Sequence, residues 1–164
     1  MTNPPQERTS LSSSDAVRRR MYVFAIAAVV AGLDIGAKVW AEHSLPAGGL
    51  DGGPIDLRIA YNDGVAFSIG GNVPMAVVVA VTATITAVIA VVAWRLAPAA
   101  ARDRIAALAL VLGGATANLV DRAGDGVVTD YFHTGWWPTF NLADVAIVVG
   151  CGLLVLASLR APRQ

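Results

Sequence analysis

The sequence predicts an all-α membrane protein: a bundle of four transmembrane helices with a small extracytoplasmic β-sheet and loop region, and with both termini cytoplasmic. Three observations predict it. The hydrophobic fraction is 55% and only 15% of the 164 residues are charged, which is too apolar for an ordinary soluble domain of this length. Four stretches, at about 21–40, 73–96, 104–121 and 142–159, come close to the roughly 20 apolar residues that a spanning helix needs. The charges sum to +0 but are sorted along the chain. Arg8, Arg18, Arg19 and Arg20 precede the first stretch, Arg95, Arg102 and Arg104 separate the second from the third, and Arg160 and Arg163 follow the fourth. The positive-inside rule places those segments in the cytoplasm. The acidic residues concentrate in the other two connections, about 41–72 and 122–141, and in the span ends beside them, so any chemistry is expected to face outward.

Each element has a local justification. Residues 1–20, "MTNPPQERTSLSSSDAVRRR", lack an apolar period and predict a disordered cytoplasmic tail ending in a basic anchor, ahead of a single membrane domain over 21–160. A cleavable signal peptide also begins with basic residues and an apolar run. Here Asp34 and Lys38 interrupt the run and no small-x-small cleavage site follows. Those two residues lie four apart on one helical face, which an ion pair with Lys38 snorkelling toward the headgroups would explain. In the first outer loop, "AGGLDGGP" is a glycine-rich turn region and "IDLRIAYN" alternates as a half-buried strand does. Asp63-Gly64 reads as a turn before "VAFSI", and a simple hairpin accounts for Asn62 and Gly64.

The second span is the cleanest, and the short inner connection "RLAPAAARDR" is broken by Pro98. In the third span Gly113, Gly114, Ala115 and Ala117 form a run of small residues, which lets helices approach closely in lipid and predicts packing against other spans. Asn118 and Asp121 are expected on that same inward face. Arg122 fits a helix end, binding the last carbonyls; Asn118, a turn deeper, does not. Asn141 and Asp144 at the start of the fourth span have the spacing of a capping box, and an acid in the first turn suits the helix dipole. Cys151 is the single cysteine, which excludes disulfides and a cysteine-rich metal site. It is expected to be a buried, inert thiol.

Turns and caps explain these residues one at a time and leave their sum unexplained. Asp34, Asn62, Asn118, Asp121, Arg122, Asp130, Asn141 and Asp144 converge on the outer membrane boundary, and ionisable groups at membrane depth mark functional sites by default.

The residues resemble the signal peptidase II family, the lipoprotein signal peptidases of bacteria. The resemblance runs in order through "DIGAK", "NDGVAFS", "GGATANLVDR", "GVVTDYF" and "FNLAD", over about residues 21 to 160. One departure is Ala117, where the family usually has Gly; a packing adjustment is expected there. The resemblance implies an intramembrane aspartic endopeptidase that cuts diacylglyceryl-modified prolipoproteins just before the lipidated cysteine. It places the catalytic pair on Asp130 and Asp144, and supporting or substrate-binding roles on Asp34, Lys38, Asn62, Gly64, Asn118, Asp121, Arg122 and Asn141. It implies no metal and no other cofactor. The expected partners are prolipoproteins and membrane lipids, with no nucleic acid, and the expected state is a monomer in the bacterial cytoplasmic membrane.

Physical chemistry says what such a pair would do: two carboxylates that cannot both ionise easily share one proton and supply acid and base together. The aromatic cluster Tyr131, Phe132, Trp136 and Trp137, together with Phe67, is expected either over the site or in an ordinary interfacial belt. Rival chemistries fare worse. A Ser68–Lys38 nucleophile leaves both aspartates without a role, and neither His43 nor His133 sits in a zinc-protease spacing. A small ion-coupled carrier or channel subunit would use Asp34, Asp121 and Asp144 as a proton relay, but its stations would crowd toward one side. A non-catalytic membrane scaffold is the remaining alternative.

Overall fold

The structure is a computed structural model that describes residues 12–64 and 73–160. In chain order the elements are α1 (Ser13–Ser44), β1 (Asp56–Asn62), α2 (Met75–Leu96), a 3₁₀ turn (Ala97–Ala99), α3 (Arg102–Asp125), β2 (Val128–His133) and α4 (Leu142–Leu159). All four helices are long and apolar enough to cross a membrane. Their outward faces carry large apolar side chains such as Val81, Ile85, Val88, Val148 and Val155, all exposed, as a lipid-facing surface requires.

The third span is the centre of the bundle, for the reason its small residues suggest. An added methyl at Gly113 would lie 2.7 Å from the Ala27 carbonyl of α1, one at Gly114 would collide with the Ala143 carbonyl of α4, and one at Gly150 would lie 2.8 Å from the Ala107 carbonyl of α3. These glycines therefore set the helix separations. Ala117 is fully buried and clusters with Ala31 and Ala143. Its methyl is accommodated by two further alanines on the facing helices.

Two boundaries differ from the sequence-based expectation. The first helix begins at Ser13, so residues 13–20 are helical and do not belong to a tail. The arginines order it: Arg19 Nη1 donates to the Ala100 carbonyl (2.7 Å), Arg20 Nε donates to the Trp94 carbonyl (3.2 Å), and the Arg20 guanidinium stacks 4.4 Å from the centre of the Trp94 ring. At the same end, Arg104 Nη2 donates to the Ala157 carbonyl at 3.4 Å. At about 1.5 Å per residue this 32-residue helix is about 48 Å long, well beyond a hydrocarbon core of about 30 Å. The segment "VAFSI", with Phe67 and Ser68, lies outside the described residues.

The second difference concerns the sheet. Residues 122–141 read as a loop, yet Val128–His133 forms β2 and pairs antiparallel with β1, placing Ala60 opposite Asp130 and Asn62 opposite Val128. An irregularity between Leu57 and Ala60 shifts the register. The pair closes the end of the bundle opposite the arginines. Cys151 is also corrected: it is exposed on α4. The inward stripe of that helix is Ala143, Ala146, Gly150 and Ala157, and the residue after Gly150 points about 100° away from it.

Candidate active site

The site is assembled at the start of α4. A helix leaves its first amide hydrogens without partners, and here three side chains and one backbone take them up. Leu142 N donates to Tyr131 Oη (3.2 Å), Ala143 N to Asp34 Oδ1 (2.8 Å), Asp144 N to Asn141 Oδ1 (2.9 Å) and Val145 N to the Asn141 carbonyl (3.3 Å). Asp144 Oδ2 in turn accepts from Asn141 N at 3.3 Å, which completes the capping box. The cap predicted from the sequence is present, and its members also face the other acids.

From that cap a continuous network spreads. Asn141, with no exposed surface, donates through Nδ2 to Asp130 Oδ1 (2.7 Å) and to Asn118 Oδ1 (3.2 Å). Asn118 Nδ2 donates to Asp144 Oδ1 at 2.9 Å. One asparagine therefore binds both Asp130 and Asp144, and a second links Asp144 to the interior. Asp130 Oδ2 accepts from Asn62 Nδ2 (3.2 Å), while Asn62 Oδ1 accepts from Gly64 N (2.9 Å). The Asn62 side chain thus closes the predicted turn and holds an aspartate at the same time.

Lys38 does not snorkel. It is 3% exposed, and its three donors meet three acceptors: Asp34 Oδ2 (2.8 Å), Asp121 Oδ2 (3.1 Å) and Asn118 Oδ1 (2.9 Å). The partners lie on two different helices, so the ammonium is better matched inside than at the surface. Asp121 Oδ2 also accepts from Thr129 N at 2.7 Å, beside Asp130 in the chain. Arg122 is partly buried, and its Nε has no hydrogen-bond partner among the described residues. It stands against Gly64, whose φ of 77° no other residue type adopts easily, and where an added methyl would meet the guanidinium at 3.3 Å.

Burial is the main cause that pushes the Asp130 carboxyl up, from 3.8 to about 6, and the neighbouring Asp144 charge adds to it. Hydrogen bonds from Asn62 and Asn141, and the Lys38 charge, pull the other way. Tyr131 is likewise pushed up, to about 12, chiefly by burial, so it remains a neutral hydroxyl that accepts from the helix. A cavity of about 450 Å³ opens beside the pair along the outer face of α4, lined by Asp144, Val145, Val148, Phe140, Trp136 and Trp137.

Every predicted site residue therefore lies at one end of the bundle. Eight of them, Asp34, Lys38, Asn62, Asn118, Asp121, Asp130, Asn141 and Asp144, are joined by hydrogen bonds and ion pairs, with Gly64 attached to Asn62 and Arg122 packed on Gly64. Of the two placements expected for Tyr131, the structure shows the one at the site, where it caps the helix. Two participants were missed: Thr129 joins Asp121, and Glu42 Oε1 accepts from Thr129 Oγ1 at 2.8 Å. The run "VVTDYFH", rich in β-branched and aromatic residues, carried the available signal for a strand. Among the described residues no group of His, Cys, Asp and Glu is placed to hold a metal ion.

Four apolar helices, closed at one end by a buried Asp130 and a part-buried Asp144 that are linked through Asn141, define a polytopic membrane protein with a paired-carboxylate site. A family profile for signal peptidase (SPase) II matches residues 26–160, and the chain belongs to that family, a family of proteases. It is 34% identical to a lipoprotein signal peptidase of Rhodococcus jostii, covering 95% of this chain and 78% of that protein. It is 35% identical to one of Mycolicibacterium smegmatis, covering 96% and 72% respectively. A solved bacterial membrane enzyme, determined by the in meso method at 1.9 Å, superposes with a TM-score of 0.72 over 85% of this chain and 94% of its own, at 23% identity. A second, determined at 2.3 Å, gives 0.71 over 87% and 93%, at 22% identity. These two likenesses bear on the fold.

Proposed function

We propose that Asp130 and Asp144 are the catalytic dyad of a lipoprotein signal peptidase that cleaves diacylglyceryl-modified prolipoproteins just before the lipidated cysteine. The observation that carries this reading is the bridging of two carboxylates by Asn141 at the membrane boundary, one of them held at a pKa of about 6. Like charges in a dry site favour a single shared proton. The ionised carboxylate takes a proton from water as the water oxygen attacks the scissile carbonyl, and the protonated one hydrogen-bonds the carbonyl oxygen. The tetrahedral adduct then collapses, the C–N bond breaks, and the amino group of the lipidated cysteine leaves with a proton from the pair. Two chains result: the signal peptide with a new carboxylate and the lipoprotein with a new amino terminus.

The remaining residues position this pair. Asn118 and Asn141 orient the two carboxylates, Asn62 holds the outer oxygen of Asp130, and Lys38 with Asp34 and Asp121 keeps charge balanced beneath them. Gly64 and Arg122 shape the edge that meets substrate. The apolar cavity beside Asp144 suits a lipid chain or signal-peptide side chains lying against α4. The basic end lies in the cytoplasm and the dyad faces the extracytoplasmic side of the bacterial inner membrane, with a monomer as the working unit. An ion-coupled carrier fits less well, because Asp34, Lys38, Asp121 and Asp144 all sit at one end of the spans instead of near the midplane.

The test is cleavage of a purified diacylglyceryl-modified precursor peptide. Wild type cuts it, while Asp130→Asn and Asp144→Asn each lose activity by several orders of magnitude with the fold retained by circular dichroism. Substantial activity in either variant removes that residue from the dyad. Wild-type inactivity on several such precursors removes the substrate assignment.

A further inference from the structure

At the end of the bundle opposite the aspartates lies a second cavity, of about 400 Å³, that no step above uses. It is lined by Arg18, Arg19 and Tyr22 of α1, Ala100 of the connection, and Arg102 and Ile105 of α3. Arg19 is anchored by its bond to the Ala100 carbonyl, and Arg18 makes an exposed ion pair with Asp15 at 2.7 Å. The Arg102 side chain has no hydrogen bond or ion pair among the described residues. The other nearby acid, Asp103, accepts from Arg104 N at 2.9 Å. Three guanidiniums from two separate elements therefore face one concavity, and among the described residues only one of them, Arg18, is paired with a carboxylate. The α3 helix also begins there, its N-cap residue Ala101 supplying no side-chain cap, so the positive end of its dipole adds to the field.

Topology alone asks only that arginines lie near this surface; it does not ask that they converge. Converging like charges repel, and an anion between them reverses the sign of the interaction. The planar forks of arginine suit a phosphate's oxygens. The cavity's apolar members indicate what is attached to that phosphate. Ile105 is buried in its floor, and from Tyr22 a strip of exposed apolar side chains, Tyr22, Ile26, Val29 and Leu33, runs along one face of α1. We propose that this cavity binds the phosphodiester headgroup of an anionic phospholipid, with an acyl chain lying along that strip, as basic pockets between membrane helices do.

The test uses the full chain in nanodiscs of phosphatidylcholine, to which phosphatidylglycerol is added in steps, with retained lipid counted by native mass spectrometry. Wild type retains phosphatidylglycerol in preference to phosphatidylcholine. Arg18→Gln and Arg102→Gln each weaken that retention about fivefold, with the melting temperature in pure phosphatidylcholine and the cleavage rate unchanged. Arg160→Gln, at the same end but outside the cavity, leaves retention as in wild type. Equal losses in Arg102→Gln and Arg160→Gln would reveal a diffuse charge effect and overturn the proposal. Displacement of the lipid by millimolar inorganic phosphate would assign the cavity to a soluble anion and overturn it as well.

Discussion

Replacing Asp130 by asparagine should stabilise the protein while abolishing cleavage, and the gain should depend on pH. Asp130 is 2% exposed, and its carboxyl is raised from 3.8 to about 6, first by burial and then by Asp144. A raised carboxyl favours the folded state while it keeps its proton. That contribution is complete below 3.8 and is lost as pH rises through about 6, because over that window the unfolded chain has already released a proton that the folded chain still holds. At about 1.4 kcal/mol per pH unit, the wild type therefore forfeits about 3 kcal/mol between acid and neutral solution. Asparagine does not titrate. It also brings a single acceptor to the two amide donors of Asn62 and Asn141, which costs about 1 kcal/mol at every pH. The variant should thus gain about 2 kcal/mol near pH 8, a rise of about 4–8 °C in melting temperature, and gain nothing near pH 4. Thermal unfolding in detergent micelles at the two pH values measures the difference. An increment that is equal at both, or larger in acid, refutes the argument that Asp130 carries a buried charge shared with Asp144.

Three other substitutions follow from the same geometry. Lys38→Met leaves the buried Asp34 and the part-buried Asp121 without their common cation and should cost about 3–5 kcal/mol; chemical denaturation measures the loss, and adding Asp121→Asn should return part of it. Gly114→Val drives a branched side chain into the Ala143 carbonyl and Ile147, so the α3–α4 contact should weaken by about 1–3 kcal/mol, read as a lower melting temperature with disproportionate loss of activity, because Ala143 is next to Asp144. Tyr131→Phe removes the acceptor for Leu142 N and should cost about 1 kcal/mol, with cleavage of the precursor peptide falling only a few-fold. A loss as large as that of Asp144→Asn would give Tyr131 a part in the chemistry itself.

Much of this stability is placed where function needs it. The capping box would stabilise α4 in any protein, but here Asn141 also donates to Asp130 and Asp144 also accepts from Asn118. The same residues therefore close the helix end and join the carboxylate network at once. A helix N-terminus offers fixed amide donors and a positive potential, which makes it a favourable place to hold acids close together in an apolar setting.

The sequence by itself determined the four spans, the bounds of α4 at 142–159, the small-residue face of α3, the cap at Asn141 and the set of polar residues drawn to one end. Each of these is written in composition or in spacings of a few residues, because helix length, periodicity and capping are local physics. The tertiary structure decided the rest. It turned Lys38 inward, since Asn118 and Asp121 stand on another helix some 80 residues away in the chain. It made a strand of residues that read as loop, because β1 supplies the backbone partners that a strand cannot find within itself. It ordered the start of α1 through Trp94 and Ala100 and placed Cys151 outside through the helical phase of α4. A charge or a strand edge is stabilised by groups distant in sequence, and only the folded chain brings those groups within hydrogen-bonding range.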